Sequence, residues 1–436
     1  MYQYNEEEYK GRMQWYSEDR LGMFIHFGLY SIPARGEWVR SYERMPEEQY
    51  MKFFRQFNPK AFDAAMWARQ AKAVGMKYIV LTAKHHDGFC LFDSAYTDFK
   101  STSTPFGRDI VRELLEAARV EGLKVGLYYS LLDWHHKDYP HCSDRYHPMR
   151  GNDDYKDGSR DFSRYIEYYQ SQVKELCANY GKLDLLWFDF SYDDMRGERW
   201  EAGRLVDMVR SLQPGIIINN RLEASGEGYG SLAEGHPTKY HGDFITPEKM
   251  LPPEGIKGRD GRDLCWEACV TMNNSWGYTR GDHNFKSPHM IIKKLVECVS
   301  KGGNFLLNIG PDGNGRFPQQ SVNILKSLGE WMDKNSESIY GCGKAGFPKP
   351  ELGRYTQNGK CLYLHLYENS LGPLPIVGID KDEIEQAILL QDNSEIRISD
   401  SWVHSDYPDI MFLDLGDNPI LPDPVDTVIK IVLRRG

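Results

Sequence analysis

The stretch 183–190, LDLLWFDF, is apolar at six of its eight positions. A strand that helices cover on both faces meets no water and is typically a continuous hydrophobic run. Asp189 interrupts this run near its end, and an ionised carboxylate buried there without a partner would cost several kcal/mol. Asp189 is therefore expected either to have a structural partner or to emerge into a working cavity at the end of the strand.

Strand-like runs alternate with helical runs on both sides of this stretch, from the start of the chain to about residue 340. The other predicted strands are 22–28, 76–86, 123–130, 216–220, one near Asp243, 264–272 and 304–310. The predicted helices are 63–75, 108–122, 160–181, 204–215 and 288–303. Seven or eight parallel strands favour a (β/α)₈-like (TIM) barrel over an open doubly wound sheet, and no GxGxxG motif follows the first strand.

The pattern changes near residue 345 to short alternating segments with Gly, Pro and Asn between them and no clear helix. Such segments are typical of β-strands joined by turns. We therefore predict an α/β protein with a catalytic barrel domain over 1–340 and a small C-terminal β-sandwich domain over 345–436.

Composition excludes several classes of protein. The net charge is −10 and the pI is about 5.8, without the clustered Lys and Arg that nucleic acids require, and no apolar run reaches membrane-spanning length. Residues 1–13 carry three glutamates and no apolar core of a signal peptide. This predicts a soluble, cytoplasmic protein, whereas a leader cleaved from a longer precursor would place it elsewhere. The eight cysteines are dispersed, and we expect free thiols.

Polar or aromatic residues recur where the predicted strands end. In a barrel, the carboxyl ends of the strands form the active-site face, so this recurrence predicts a polar cavity with aromatic walls. The 27 tyrosines and 10 tryptophans also suit binding of carbohydrate. The residues at these ends are His26, Lys84 to Asp87, Tyr128 and Tyr129, Trp187 and Asp189, Asn219 to Arg221, and Trp266 with Glu267.

Each of these residues also has a structural explanation. A lone Asp at a strand end often caps a turn or pairs with an Arg. His85 and His86 could be metal ligands, but adjacent residues of a strand face opposite sides, which makes a shared ion unfavourable. We therefore expect no metal and no organic cofactor.

Seven motifs occur in an order that resembles the α-L-fucosidases of glycoside hydrolase family 29. They are FIHFGLYSIP with GEWV, KYIVLTAKHHDGFCLF, GLYYSLLDWHH, LLWFD, GDFITPE, WEACVTMNNSWGY and SKGGNFLLNIGPDGNG. The resemblance covers essentially the whole chain. It implies a retaining hydrolase that removes terminal α-linked L-fucose, with a (β/α)₈-like catalytic domain and a C-terminal β-sandwich.

The resemblance also implies roles for individual residues. Asp189 matches the nucleophile of the family, and Glu248 matches its acid/base, with Glu254, Glu267 and Glu37 left as alternatives to Glu248. The residues that would contact the sugar are Phe24, His26, Glu37, Trp38, His85, His86, Tyr128, Trp187, Arg221 and Trp276.

The chemistry sets opposite demands on the two carboxyl groups. Asp189 must be ionised to attack the anomeric carbon, and we expect donors such as Arg221 to hold its pKa down. Glu248 must begin protonated so that it can donate to the leaving oxygen and later activate water. The methyl group of fucose calls for an apolar notch in the pocket, which aromatic side chains would supply.

Three other functions stay open at this stage. One is a retaining glycosidase for another sugar such as galactose, the second is an inactive carbohydrate-binding module, and the third is a metal hydrolase that uses His85 and His86. The expected partner is a fucosylated oligosaccharide or glycoconjugate. The sequence leaves open the linkage that is cleaved and whether the chain forms a homo-oligomer.

Overall fold

The computed structural model describes residues 4–225, 228–399, 403–408, 410–418 and 420–434. Its first sheet is parallel, with strand order β5-β4-β3-β2-β1-β7-β6. These strands are β1 (Leu21–Ile25), β2 (Tyr78–Lys84), β3 (Lys124–Ser130), β4 (Leu185–Asp189), β5 (Ile217–Ile218), β6 (Glu267–Thr271) and β7 (Asn304–Ile309). Nearly every residue of this sheet is buried, as the hydrophobic runs predicted.

Helices follow the strands as in a chain of βα units. Those predicted are α4 (Ala64–Ala73), α5 (Ile110–Val120), α6 (Phe162–Asn179), α7 (Ala202–Leu212) and α8 (Pro288–Ser300). Four others among the described residues before 340 were not predicted: α1 (Glu6–Asp19), α2 (Val39–Tyr42), α3 (Glu47–Gln56) and α9 (Gln319–Asn335). The N-terminal α1 begins at Asn5, whose side chain accepts hydrogen bonds from the backbone amides of Glu7 and Glu8.

The barrel closes through a segment that is not a regular strand. Residues 243–249 lie between β5 and β6 and make parallel bridges to both sides, Asn219 with Phe244 and Ile245 with Trp266. The predicted strand near Asp243 is therefore present only as isolated bridges. Gly242, at φ 75°, starts the segment, and a Cβ there would lie 2.5 Å from the Asn220 Cα. Only glycine allows so close an approach.

Asp243 anchors this closing segment at its start. Its buried carboxylate accepts hydrogen bonds from Arg12 Nη2 at 3.0 Å, Arg210 Nη2 at 2.9 Å and the Ile218 amide at 2.9 Å. Asp243 thus links α1 and α7 to β5. Its carboxylate is fully buried, and the side chains of Arg12 and Arg210 are mostly buried. Breaking one partner of such a buried pair is costly, because the other charge is left uncompensated.

One strand begins later than predicted. The apolar run 264–272 gives a strand only from Glu267 onward, so Trp266 and Glu267 lie at its start and not at its active-site end. Trp266 is buried because it fills the space beside Gly303, where a Cβ would lie 2.4 Å from its ring. In the sequence, a buried aromatic residue that directly precedes a strand cannot be told from a residue of the strand.

The C-terminal region consists of two antiparallel sheets, which confirms the predicted barrel followed by a β-sandwich. One sheet has the order β11-β14-β9-β8 and the other β10-β13-β12. The strands are β8 (Gly353–Asn358), β9 (Cys361–Leu366), β10 (Leu374–Val377), β11 (Ile384–Leu389), β12 (Arg397–Ile398), β13 (Ile410–Asp414) and β14 (Thr427–Leu433). A short helix, α10 (Val403–Asp406), also occurs there. The domain boundary between 340 and 345 stays a prediction.

Among the described helices, none is both long and apolar enough to cross a bilayer. All eight cysteines are free thiols.

Candidate active site

A pocket opens where the parallel strands end. It is lined by eleven of the twelve residues that the sequence analysis singled out: Phe24, His26, Glu37, Trp38, His85, His86, Tyr128, Trp187, Asp189, Glu248 and Trp276. The twelfth, Arg221, lies directly behind the two carboxylates. Phe190 and Cys269 also line the pocket and were not predicted. Phe190 follows Asp189, and Cys269 lies two residues after Glu267 on β6, the spacing that puts strand residues on the same face.

Asp189 ends β4, and its side chain is 13% exposed. Tyr128 donates its hydroxyl hydrogen to Oδ2 at 2.8 Å, and Arg221 Nη1 donates to Oδ1 at 3.1 Å. Burial nevertheless outweighs these two donors and raises the pKa of Asp189 to about 6. The expected downward shift is therefore wrong in its net direction, although the carboxyl group is still mostly ionised at neutral pH.

Glu248 lies in the closing segment at the mouth of the pocket, with a side chain that is 45% exposed. Trp276 donates its indole hydrogen to Oε1 at 3.0 Å, and Arg221 Nη2 approaches Oε2 at 3.5 Å. The one guanidinium group therefore contacts both carboxylates, Asp189 in the enclosed part of the pocket and Glu248 at its open part. An acid/base must reach both the leaving oxygen and water, and Glu248 has that access.

The three alternative glutamates lie in other surroundings. Glu267 is fully buried at the start of β6, where Tyr78 and Trp187 donate to its carboxylate at 2.5 and 3.2 Å. Burial raises the pKa of Glu267 to about 7. Glu37 lines the pocket but is buried, and it accepts the Gly277 amide at 2.8 Å. Glu254 lines a different cavity, beside the C-terminal sheets. Glu267 thus holds the indole of Trp187 in place. Of the three alternatives, only Glu37 lines the pocket with Glu248.

Three histidine rings line one side of the pocket. The ring centroids of His85 and His86 are 4.1 Å apart, and those of His26 and His85 are 5.7 Å apart. The expectation that His85 and His86 face opposite sides is wrong, because β2 ends at Lys84 and strand alternation no longer applies. Burial lowers the pKa of all three, that of His26 to about 3, so the rings are neutral and each can both donate and accept.

Two of these rings are held by neighbouring side chains. His26 Nδ1 lies 2.6 Å from Asn308 Oδ1, and the Asn308 amide in turn donates to the Trp276 carbonyl at 2.9 Å. His86 Nδ1 lies 2.6 Å from Ser130 Oγ. The buried His85 Nδ1, by contrast, has no hydrogen-bond partner in the described part of the chain. A polar ligand is the natural partner for such an atom.

Aromatic rings form the remaining walls. Phe24 contacts the rings of Tyr128, Trp187 and Trp276 at centroid distances of 5.9, 5.4 and 6.0 Å. Trp38 adjoins His86 at 4.8 Å on another side. The pocket therefore combines a small apolar wall with neutral imidazoles and two carboxyl groups.

The residue after each carboxylate has a positive φ although it is not glycine. Phe190 has φ 86° and Lys249 has φ 53°. Side chains disfavour this region, and each such residue costs of order 1–3 kcal/mol. This backbone conformation turns the chain sharply after Asp189 and after Glu248, the two residues whose carboxyl groups line the pocket.

Among the described residues, no group of three or more His, Cys, Asp or Glu side chains is placed to hold a metal ion.

The chain matches the family model "Alpha-L-fucosidase" over residues 1–337. It is 30% identical over 356 residues to the α-L-fucosidase of Dictyostelium discoideum, with 75% of this chain and 71% of that protein covered. Plasma α-L-fucosidase of Homo sapiens is 31% identical over 353 residues, with 75% and 68% covered.

Solved structures give the same result. α-L-Fucosidase isoenzyme 1 from Paenibacillus thiaminolyticus has a TM-score of 0.95 and 53% identity, covering 98% of this chain and all of that chain. A GH29 α-L-fucosidase from Bacteroides thetaiotaomicron, a trapped covalent intermediate with 2-fluoro-fucosyl fluoride, has a TM-score of 0.83 and 31% identity, covering 97% and 96%. These relatives give no support to a galactosidase. The chain belongs to the α-L-fucosidase family, glycoside hydrolase family 29, and is a glycosidase of that family.

Proposed function

We propose that this chain is a retaining, exo-acting α-L-fucosidase that hydrolyses terminal α-L-fucosyl linkages through a covalent fucosyl-enzyme intermediate. The observation that carries the proposal is the shared contact of Arg221 with Asp189 and Glu248, one carboxylate enclosed and the other exposed. Retaining glycosidases need two such carboxyl groups with different roles, one on each side of the scissile bond.

Asp189 is the nucleophile in this mechanism. Its Oδ atoms are oriented by Tyr128 and Arg221, and the aromatic surroundings exclude water from the reacting face. Attack on the anomeric carbon forms an ester and breaks the glycosidic bond. Because Arg221 neutralises the carboxylate charge in the pocket, ionisation persists at neutral pH despite burial.

Glu248 is the acid/base in this mechanism. It first donates its proton to the leaving oxygen and then accepts a proton from the water that attacks the ester. Trp276 holds Oε1, and Oε2, which Arg221 approaches at 3.5 Å, is the oxygen that alternates between donor and acceptor. The exposure of Glu248 gives the departing group and the incoming water the same route.

The rest of the pocket suits fucose. The aromatic wall around Phe24 can take the methyl group, while His26, His85 and His86 can each bond a ring hydroxyl. A site whose polar groups await hydroxyls rejects sugars that lack them, because unpaired buried polar atoms are costly. The unpartnered His85 Nδ1 is one such atom.

Labelling of the nucleophile tests the proposal. The enzyme is treated with a 2-fluoro-fucosyl fluoride inactivator, digested and analysed by mass spectrometry. The label is expected on the peptide that contains Asp189, and a label elsewhere or none would contradict the mechanism. Turnover of p-nitrophenyl α-L-fucoside beside the β-D-galactoside tests the sugar.

A further inference from the structure

A second cavity adjoins the active-site pocket at Trp276. It has a volume of about 460 Å³ and lies between the loop that follows β6 and the segment that joins β7 to α9. Trp276 lines both this cavity and the active-site pocket, and its indole N–H is bonded to Glu248. A group bound in the cavity would therefore lie one aromatic ring away from the proposed acid/base.

Two arginines and two aspartates line this cavity. Arg280 and Arg316 both line it, both are exposed, and neither guanidinium group has a hydrogen-bond or ion-pair partner within the described ranges. Exposed arginines without partners are common on protein surfaces. Two that line one cavity, by contrast, place two sets of guanidinium donors within reach of a ligand in it.

The acidic residues of the cavity are already occupied by local hydrogen bonds. Asp282 accepts the Asn274 amide and the Ser275 hydroxyl at 2.9 and 2.8 Å. Asp312 Oδ1 accepts the backbone amides of Asn314 and Arg316, both at 2.9 Å. These carboxylates therefore fix the two loops and leave both guanidinium groups free for a ligand.

We propose that the cavity binds an acidic group, a sulfate ester or a sugar carboxylate, on the leaving-group part of a fucosylated glycan. The planar guanidinium fork matches both oxyanions, and two arginines can hold one anion between them. This inference rests on the proposed function, because it assigns the leaving group of the same reaction. It makes acidic fucosylated glycans the preferred substrate class.

Binding tests the site without catalysis. Isothermal titration calorimetry compares sulfated, sialylated and neutral N-acetyllactosamine, none of them fucosylated, on the full-length wild type. The sulfated or the sialylated sugar is expected to bind about tenfold or more tightly than the neutral one, and whichever does so identifies the anion. The double variant Arg280→Gln/Arg316→Gln is expected to abolish the difference. Arg55→Gln/Arg397→Gln, which removes the same charge from exposed positions outside the cavity, is expected to keep it.

Kinetics then tests the link to the reaction. On the fucosylated form of the preferred acidic sugar, Arg280→Gln/Arg316→Gln should lower kcat/KM about tenfold or more, while p-nitrophenyl α-L-fucoside and the neutral fucosylated sugar should change by less than about twofold. Equal binding of acidic and neutral sugars by the wild type would overturn the proposal, as would an undiminished preference in the double variant. If the wild type did not hydrolyse p-nitrophenyl α-L-fucoside at all, the proposed function would be contradicted. The calorimetry would still show whether the cavity binds an acidic sugar.

Discussion

Arg221 Nη1 lies 3.1 Å from Asp189 Oδ1, and this contact supplies the positive charge beside a carboxylate that burial would otherwise protonate. The second terminal nitrogen of the same group reaches Glu248. One buried cation thus serves two carboxyl groups, and any change at Arg221 alters both. The role of each carboxyl group is therefore best tested in variants that keep Arg221.

Asp189→Ala should lower kcat about 10³-fold or more, because the covalent step has no nucleophile. Stopped assays with p-nitrophenyl α-L-fucoside measure the loss. Asp194→Ala, an exposed aspartate on the loop after β4, is the matched control and should keep wild-type turnover. A loss below about tenfold for Asp189→Ala would assign the nucleophile elsewhere.

The acid limb of kcat/KM should report the ionisation of Asp189. The pKa of this carboxyl group is raised to about 6, mainly by burial, and only the ionised form attacks, so kcat/KM should fall about tenfold per pH unit below pH 6. Tyr128→Phe removes a hydrogen bond that favours the ionised form, so its acid limb should move to higher pH. An unmoved limb in this variant would mean that another group controls it.

Azide should distinguish the acid/base from the nucleophile by the configuration of the product. In Glu248→Ala the ester still forms with an activated leaving group, and azide then attacks it to give the α-fucosyl azide. In Asp189→Gly azide attacks the substrate directly and gives the β-fucosyl azide. NMR of the products reads the outcome. Glu37→Ala, Glu254→Ala and Glu267→Ala are expected to give neither rescue, and an α-azide from one of them would move the acid/base there.

Glu267 should make the fold less stable as pH rises. Its folded pKa, about 7, lies above the ordinary glutamate value of 4.5, so the native state binds the proton more tightly and stability is lost as pH rises from about 4.5 to 7. The loss would amount to about 3 kcal/mol. Glu267→Gln stays neutral and should flatten this dependence, measured by urea unfolding between pH 5 and pH 8. A parallel pH dependence in wild type and variant would contradict this reading.

Asp243→Ala should destabilise the protein by about 3–5 kcal/mol, because Arg12 and Arg210 lose their buried partner. The same segment carries Glu248, so turnover should fall with stability. Asp260→Ala, which removes an exposed carboxylate paired with Arg262, should change the unfolding midpoint little. Equal midpoints for the two variants would show that the buried pairs do not hold the segment.

Local patterns predicted most of the barrel and the residues of its pocket. The run that ends at Asp189 became β4 because burial on both faces leaves a clear signature in one short stretch. Helix α1 was missed because only Met13 and Tyr16 of its fourteen residues are buried, which leaves little amphipathic pattern. The closing segment was predicted as a strand near Asp243, but its neighbours pair with it only at isolated residues. Periodicity in the sequence does not distinguish isolated bridges from a continuous strand.

The electrostatics of the site depend on distances that the sequence does not contain. Arg221 was expected to lower the pKa of Asp189, and its contact does so, but burial outweighs it. The pocket walls that bury Asp189 come from residues far apart in the sequence. His85 and His86 lie side by side because β2 stops one residue before them. Such endpoints depend on tertiary packing.

The unfavourable backbone angles at Phe190 and Lys249 lower the stability of the fold but orient the two catalytic carboxyl groups. Glycine at either position would accept the same angle at no steric cost, so selection for heat resistance alone would favour it. The glycine would also make the backbone beside the catalytic carboxyl group more flexible. Variants selected for thermal stability should therefore carry their stabilising substitutions at other positions. A stabilising glycine at either of these two positions should lower kcat.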